Sequence, residues 1–462
     1  MKKRSYRIAF FILSILILTG LAIKIDVYDF PFAHSNEALV FTETHVTRAS
    51  SPTTSSPTVS TPIYTVLEAS FYVSRIGSNA DGKSWETAWN ELDQIQWEKV
   101  QAGDVILIAE GEYHTNMVVG QSGQPGRPII ISTNGAQVIL DGQRPAPPYC
   151  GEQGFVPVKG HSAISLEDQK FIVIDGLDWS GIVIRNYARG ILMNKQTNNI
   201  VVRNVELYDN GWSVEKGNVI YPDGPGVELG GSDILFERVL IHDNGQDAFQ
   251  AGWGVWKFTL RTSWLYNSRE HPVERGKSFN YCSHTDGIQI YDGGLQGPIT
   301  IENSIIGPSF SQGVMINNKA TVNNVLITNT LFVGNVNAGI AISNGGNSSD
   351  WTLQNVTIVQ NPVSEGWSLK MNGNGHQIRD SLFWGGPWGI GIYDWSEATG
   401  NYRWLTQDQY GVTTEMDPRF LDGEYRLFAG DDFADFDFEV QNSLIPSETG
   451  SAIVSVHQLF DQ

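Results

Sequence analysis

The stretch "ITNTLFVGNVNAGIAI", residues 327 to 342, decides the fold. It holds two short runs in which apolar residues alternate with small or polar ones, joined through Asn and Gly. Its first half follows the pattern apolar-x-Asn-small/apolar-x-apolar, which returns as "VRNVEL" (202 to 207), "IENSII" (301 to 306), "LQNVTI" (353 to 358) and "IRDSLF" (378 to 383). Variants are "FERVLI" from 236 and "LRTSWL" from 260. The third positions are Asn204, Arg238, Thr262, Asn303, Asn329, Asn355 and Asp380, spaced by 34, 24, 41, 26, 26 and 25 residues. The second half, a small residue leading an alternating strand, recurs as "GILM" (190), "GVEL" (226), "AFQA" (248), "GIQI" (287), "GVMI" (313) and "GIGI" (389). A helical repeat would place apolar residues three and four apart, whereas these alternate in twos and carry β-branched residues. The pattern predicts an all-β parallel β-helix, in which rungs pair at about 4.8 Å and equivalent residues form columns.

The 462-residue chain is 41% hydrophobic, enough for a large core. Fifty acidic against thirty basic residues give a net charge of −20, which repels nucleic acid and leaves any anionic ligand in need of a local cationic patch. Lys2, Lys3, Arg4 and Arg7 precede an apolar run from Ile8 to Ile23, which reads as a signal peptide or an uncleaved membrane anchor over residues 1–25. Either reading places the remainder outside the cytoplasm, secreted or anchored. "TRASSPTTSSPTVSTP" (47 to 62) is too rich in Ser, Thr and Pro to bury a core, so 26–66 reads as a linker. The two cysteines, Cys150 and Cys282, are compatible with a disulfide and equally with two thiols.

With these repeats in hand, the chain resembles the right-handed parallel β-helix superfamily, which includes polysaccharide lyases and pectin-type hydrolases. The opening "FYVSRIGSNADGKSWETAWNEL" with "AGDVILIAEGEYHTNMVVGQSGQPGRPIIISTNGAQVILDG" is similar to the cap and first rungs of alginate- and chondroitin-lyase-like members, and "DPRFLDGEYRL" (417 to 427) to a post-helix segment. The implied organisation is an N-terminal cap and first rungs over 67–143, the β-helix over 144–395 and an irregular C-terminal segment over 396–462.

The two long spacings mark insertions that a coil must expel as loops, where clefts form. They are "GWSVEKGNVIYPDGP" (211 to 225) and "SREHPVERGKSFNYCS" (268 to 283). Aligning the small-residue strands stacks Asp247 over Asp286 and Gln250 over Gln289, with Glu228 in the last column one rung earlier. Two carboxylates about 5 Å apart call for a shared proton or cation, and Ca²⁺ suits them, with Asp247, Asp286 and Glu228 as ligands. The second insertion contributes Arg269, His271, Arg275 and Lys277, the densest basic group after the N-terminal segment, followed by His284. Lyases of this fold neutralise a uronate carboxylate, often with Ca²⁺, and remove its C5 proton with Lys, Arg, His or Tyr. The resemblance therefore implies Lys277, Arg275 or His284 as base with Asp286 in the catalytic set. Arg269, His271, Gln250, Gln289, Trp212 and Trp253 are the substrate contacts expected beside them. The expected partner is an acidic polysaccharide, bound by a monomer that meets a membrane only through an uncleaved N-terminus.

Pectin-type hydrolases use paired acids and water at wider separation. Their Asn-Thr-Asp stands here as "HTD", and their adjacent Asp-Asp and Gly-His-Gly are absent. Mannuronan epimerases, which "SHTDG" faintly resembles, come third. A non-catalytic glycan-binding surface protein is the competing class. Each feature also has a plain structural reading: Asp286 at a corner capping backbone N–H groups, His242 in a corner hydrogen bond, the insertion charges as a solvated loop, and the Trp residues as packing.

Overall fold

The computed structural model describes residues 68–143, 160–211, 224–266, 285–291, 297–308, 310–317, 320–342, 347–360, 366–392, 394–408 and 410–419, strands at 23–27, 42–46, 213–215 and 218–220, and most of 441–460. The chain divides into Met1–Leu67 and Glu68–Gln462. Within the first unit Ile23–Val27 pairs antiparallel with Thr42–Val46. The apolar run before Ile23, the Ser/Thr/Pro stretch, Cys150 and Cys282 lie outside the described residues. Among the described residues no helix is long and apolar enough to cross a membrane.

In the second unit parallel strands stack rung on rung, from Phe71–Val73 against Val105–Ile108 to Tyr402–Trp404 against Thr414–Glu415. Parallel strands joined by successive crossovers wind right-handed. The coil thus includes the first rungs before residue 144, and its pairing continues past residue 395. Each central rung has a lead strand such as Asp286–Ile290, a middle strand such as Ile299–Glu302, a bend, and a return strand such as Ile305–Ile306.

The bend is the column anticipated from the repeats. Strand register places Asn204, Arg238, Thr262, Asn303, Asn329, Asn355 and Asp380 one above another. All seven have left-handed backbone, with φ of 58, 52, 47, 49, 45, 52 and 48°. That conformation costs an L-residue about 1–2 kcal/mol, and Asn lowers the cost through local hydrogen bonds. Asn329 Nδ2 donates to Asn303 Oδ1 at 2.6 Å, and Asn204 Nδ2 donates to Asp175 Oδ1 at 2.7 Å. Arg238 instead lays its guanidinium over Trp179, 5.4 Å from the ring centroid.

Inside the coil, alternation builds apolar stacks such as Ile174, Val202, Phe236, Leu260, Ile301, Ile327, Leu353 and Ile378. All are buried, and each contributes about 1.5–3 kcal/mol of apolar burial. The small residues leading the lead strands are fixed by close approach: a Cβ on Gly287 would stand 2.5 Å from the Gly313 carbonyl oxygen, and one on Gly313 2.6 Å from that of Gly339. Ser368 fills the same position in Trp367–Met371, a rung that the Gly/Ala pattern passes over.

The return strands expose a second apolar column outward, and the C-terminal segment covers it. Ile445, Ile453 and Leu459 pack with Trp264, Ile305, Leu331 and Leu382. Ser451 N donates to Thr357 Oγ1 at 2.8 Å, Gly450 N to the Asp380 carbonyl at 2.7 Å, and Phe460 meets Trp264 and Trp179 edge-on.

Candidate functional site

The outward positions of the lead strands form one row, because every second side chain of a strand leaves the core. Register places Glu228, Gln250, Gln289 and Met315 in that row on successive rungs. Both long insertions stand directly before lead strands of this row in sequence: the first follows Gly211 and carries the antiparallel pair Ser213–Glu215 with Asn218–Ile220, and the second precedes Thr285. Strand Phe249–Arg261 bulges beside the row, where Gly230 and Gly231 pair with Trp253 and Val255. Bulges re-aim side chains and gather near sites.

Asp247 and Asp286 stack on neighbouring rungs as the repeat alignment requires, and both are fully buried. Each carboxylate holds the rung that follows. Asp286 N donates to Asp247 Oδ1 at 2.7 Å, and Gln312 N donates to Asp286 Oδ1 at 2.9 Å. Their second oxygens accept from the row of glutamines: Gln250 Nε2 from 3.3 Å onto Asp247 Oδ2, and Gln289 Nε2 from 3.3 Å onto Asp286 Oδ2. Gln250 Nε2 also reaches Gln289 Oε1 at 3.3 Å, which ties the two rungs through their amides. Hydrogen bonds of this kind favour ionised carboxylates and offset their desolvation. Through these bonds the pair ties each lead strand to the next and holds the outward amides in place.

Glu228, one rung earlier, forms an ion pair with Arg189, Nε to Oε2 at 2.5 Å. Among the described residues no three His, Cys, Asp or Glu side chains converge as metal ligands. Asp247, Asp286 and Glu228 thus do not fit the three-carboxylate Ca²⁺ site expected of them: the aspartates face amides and the glutamate faces Arg189.

Trp212, Arg269, His271, Arg275, Lys277 and His284 lie outside the described residues. Trp253 is placed on its bulged strand. Trp256, 49% exposed, lies under Lys257, whose Nζ is 5.1 Å from the ring centroid and 3.1 Å from Asp233 Oδ1. His242 sits in an aromatic stack on the return strands, with Tyr208 at 5.0 Å and Tyr266 at 4.6 Å between ring centroids. Its two ring nitrogens face Asp243 at 2.9 Å and Glu206 at 3.0 Å. Burial works against a charged imidazole, but the hydrogen bonds and charges of Asp243 and Glu206 raise its pKa above the ordinary value.

The structure adds residues that motif reading passes over. Tyr291 closes "GIQI" and lies over Gly252 of the preceding rung, its Cζ 2.4 Å from where a Cβ would stand. Further along the row Lys370 stands with Trp367 and Trp388. The signal for Tyr291 was available, since it falls two positions after Gln289 on the outward side.

No family model and no curated protein matches the chain. Among solved structures it is similar to a pectate lyase, at 16% identity over 71% of this chain and 76% of that one, with a TM-score of 0.43. A rhamnogalacturonan lyase matches at 13% identity over 84% and 97%, TM-score 0.46. An exopolygalacturonase from Thermotoga maritima matches at 12% over 68% and 86%, TM-score 0.41. Likenesses this remote assign no activity, and the architecture stands on the chain's own strand register. The chain is a right-handed parallel β-helix protein.

Proposed function

We propose that the protein acts on a polysaccharide lying across the outward row of Glu228, Gln250 and Gln289, and that it cleaves an acidic one by β-elimination. The observation that carries this reading is the position of the row: a polar strip with its amides fixed from beneath, on the rungs whose lead strands the two insertions precede in sequence. The second insertion holds Arg269, His271, Arg275 and Lys277, which supply local positive charge in a chain of net charge −20. Those groups neutralise the substrate carboxylate, and Lys277, Arg275 or His284 takes the C5 proton. The C5–H electron pair becomes the C4–C5 double bond, the C4–O bond breaks, and the departing oxygen takes a proton. Asp286 acts here as a positioning residue through Gln289.

Hydrolysis has less support, because both stacked aspartates accept from backbone and amide donors that hold the rungs together. The same observation favours, as the second reading, a glycan-binding module without chemistry.

The test is a panel of polyuronides and glycosaminoglycans followed for the ultraviolet absorbance of an unsaturated product, with and without chelator. Unsaturated product is the expected result. Reducing ends without the chromophore indicate hydrolysis, retention on a glycan column with neither product indicates the binding module, and indifference to every glycan overturns the proposal.

A further inference from the structure

Three rungs beyond Gln289 the row continues through Met315 and Ala341 to Lys370 and Gly391. Here strand Trp367–Met371 carries one extra residue relative to its neighbour, since Trp367 pairs with Gly389 and Leu369 with Ile390. The extra residue, Ser368, is buried, with Oγ donating to the Gly385 carbonyl at 2.5 Å. A Cβ on Gly386 would stand 2.7 Å from Ser368 N, so the turn closes directly on the bulge and holds it. The bulge lays the Trp367 ring over Gly391, where a Cβ would be 2.8 Å from Cζ3. Trp388, 46% exposed, meets Trp367 edge-on with ring centroids 6.3 Å apart. Lys370 Nζ is 5.8 Å from the Trp367 centroid and forms no ion pair with a described carboxylate.

We propose that Trp367, Trp388 and Lys370 form a distal subsite for an anionic sugar residue of the polysaccharide described above. This rests on that functional reading and names the chemistry of one end of its ligand. The indole faces suit the C–H face of a pyranose ring, and the Lys370 ammonium beside them, with no carboxylate partner among the described residues, suits a uronate carboxylate. Between the two stations the row passes Met315 and the small side chain of Ala341, and beyond Lys370 Gly391 leaves room for the Trp367 ring. Three rung steps separate Gln289 from Lys370, about 14 Å, which is roughly three to four sugar residues of an extended chain. A ligand running along the coil therefore reaches both stations only above that length.

Full-length wild-type protein, Trp388→Ala and Lys370→Gln are titrated with oligogalacturonates and oligomannuronates of two and six residues. Tryptophan fluorescence gives binding, and product absorbance gives KM and kcat. For the hexamer of the preferred series, each variant raises the dissociation constant and KM roughly tenfold with kcat retained. For the dimer the variants match wild type. Equal hexamer affinity in all three proteins overturns the subsite, as does a wild type that binds hexamer no tighter than dimer. If such variants still cleave a polyuronide normally, the subsite alone fails. A wild type that neither binds nor cleaves either series removes the functional reading and the subsite together.

Discussion

Replacing Asp286 by alanine removes the acceptor of two donors, the Gln312 backbone N–H at 2.9 Å and Gln289 Nε2 at 3.3 Å. The backbone N–H is left in a site that Asp286 fully occupies without exposure. A buried donor without a partner costs about 1–3 kcal/mol, so Asp286→Ala destabilises by about 2–5 kcal/mol. Asp286→Asn is more informative. Its Oδ1 still accepts from Gln312 N, but its Nδ2 then opposes Gln289 Nε2, donor against donor. Turning the Gln289 amide relieves that opposition only by breaking the bond from Gln250 Nε2 to Gln289 Oε1. The expected cost is about 1–2 kcal/mol. Adding Gln289→Glu gives Nδ2 an acceptor again, keeps an oxygen toward Gln250 and preserves the charge of the pair. The double variant therefore recovers about 1 kcal/mol relative to the sum of the singles. Urea unfolding midpoints at unchanged slope measure all three. A coupling of zero, with each single within experimental error of wild type, would falsify the positioning role of the aspartate column.

Other outcomes follow from the same geometry. The pKa of His242 is raised above its ordinary 6.5, and that of Glu206 is lowered below 4.5 by the His242 and Ser180 hydrogen bonds against the effect of burial. The stability from His242 is fully present below pH 6.5 and lost as pH rises through the elevated folded value, while that from Glu206 is lost as pH falls through its depressed one. His242→Gln therefore flattens the alkaline side of a stability-against-pH curve; an unchanged curve refutes the pairing with Asp243 and Glu206. Gly313→Ala meets the Gly339 carbonyl oxygen at 2.6 Å and costs about 1–3 kcal/mol in thermal or urea unfolding. Ending the chain before residue 441 uncovers Ile305, Leu331 and Leu382, and an apolar dye that binds the truncated but not the full chain is the expected readout.

The bend column was legible because left-handed backbone selects Asn, and Asn at a near-constant period is visible without coordinates. The register of Asp247 over Asp286 followed from the same period. Their role was not legible, since whether a corner carboxylate faces a ligand or the next rung's amides depends on how the side chain turns, and periodicity carries no information about that. Trp367 escaped for a different reason: its station is made by a bulge and by what Gly391 lacks. Ser368 hid a whole rung by standing where Gly or Ala stands elsewhere. The covering segment was equally hidden, because Ile445, Ile453 and Leu459 share no period with the strands they cover.

That covering segment changes how the coil comes apart. Turns that touch only their neighbours unwind one at a time, fraying from an end while the remainder stays wound. Here Gly450 is bonded at the rung of Asp380, Ser451 at that of Thr357, and Phe460 reaches back to Trp264. The segment spans four rung steps, about 19 Å, and travels against the direction of winding. Peeling the rung of Asp380 therefore strips cover from the rung of Trp264 as well. The rungs from Trp264 to Asp380 are clasped into one cooperative block, and progressive unzipping is left to the rungs outside it.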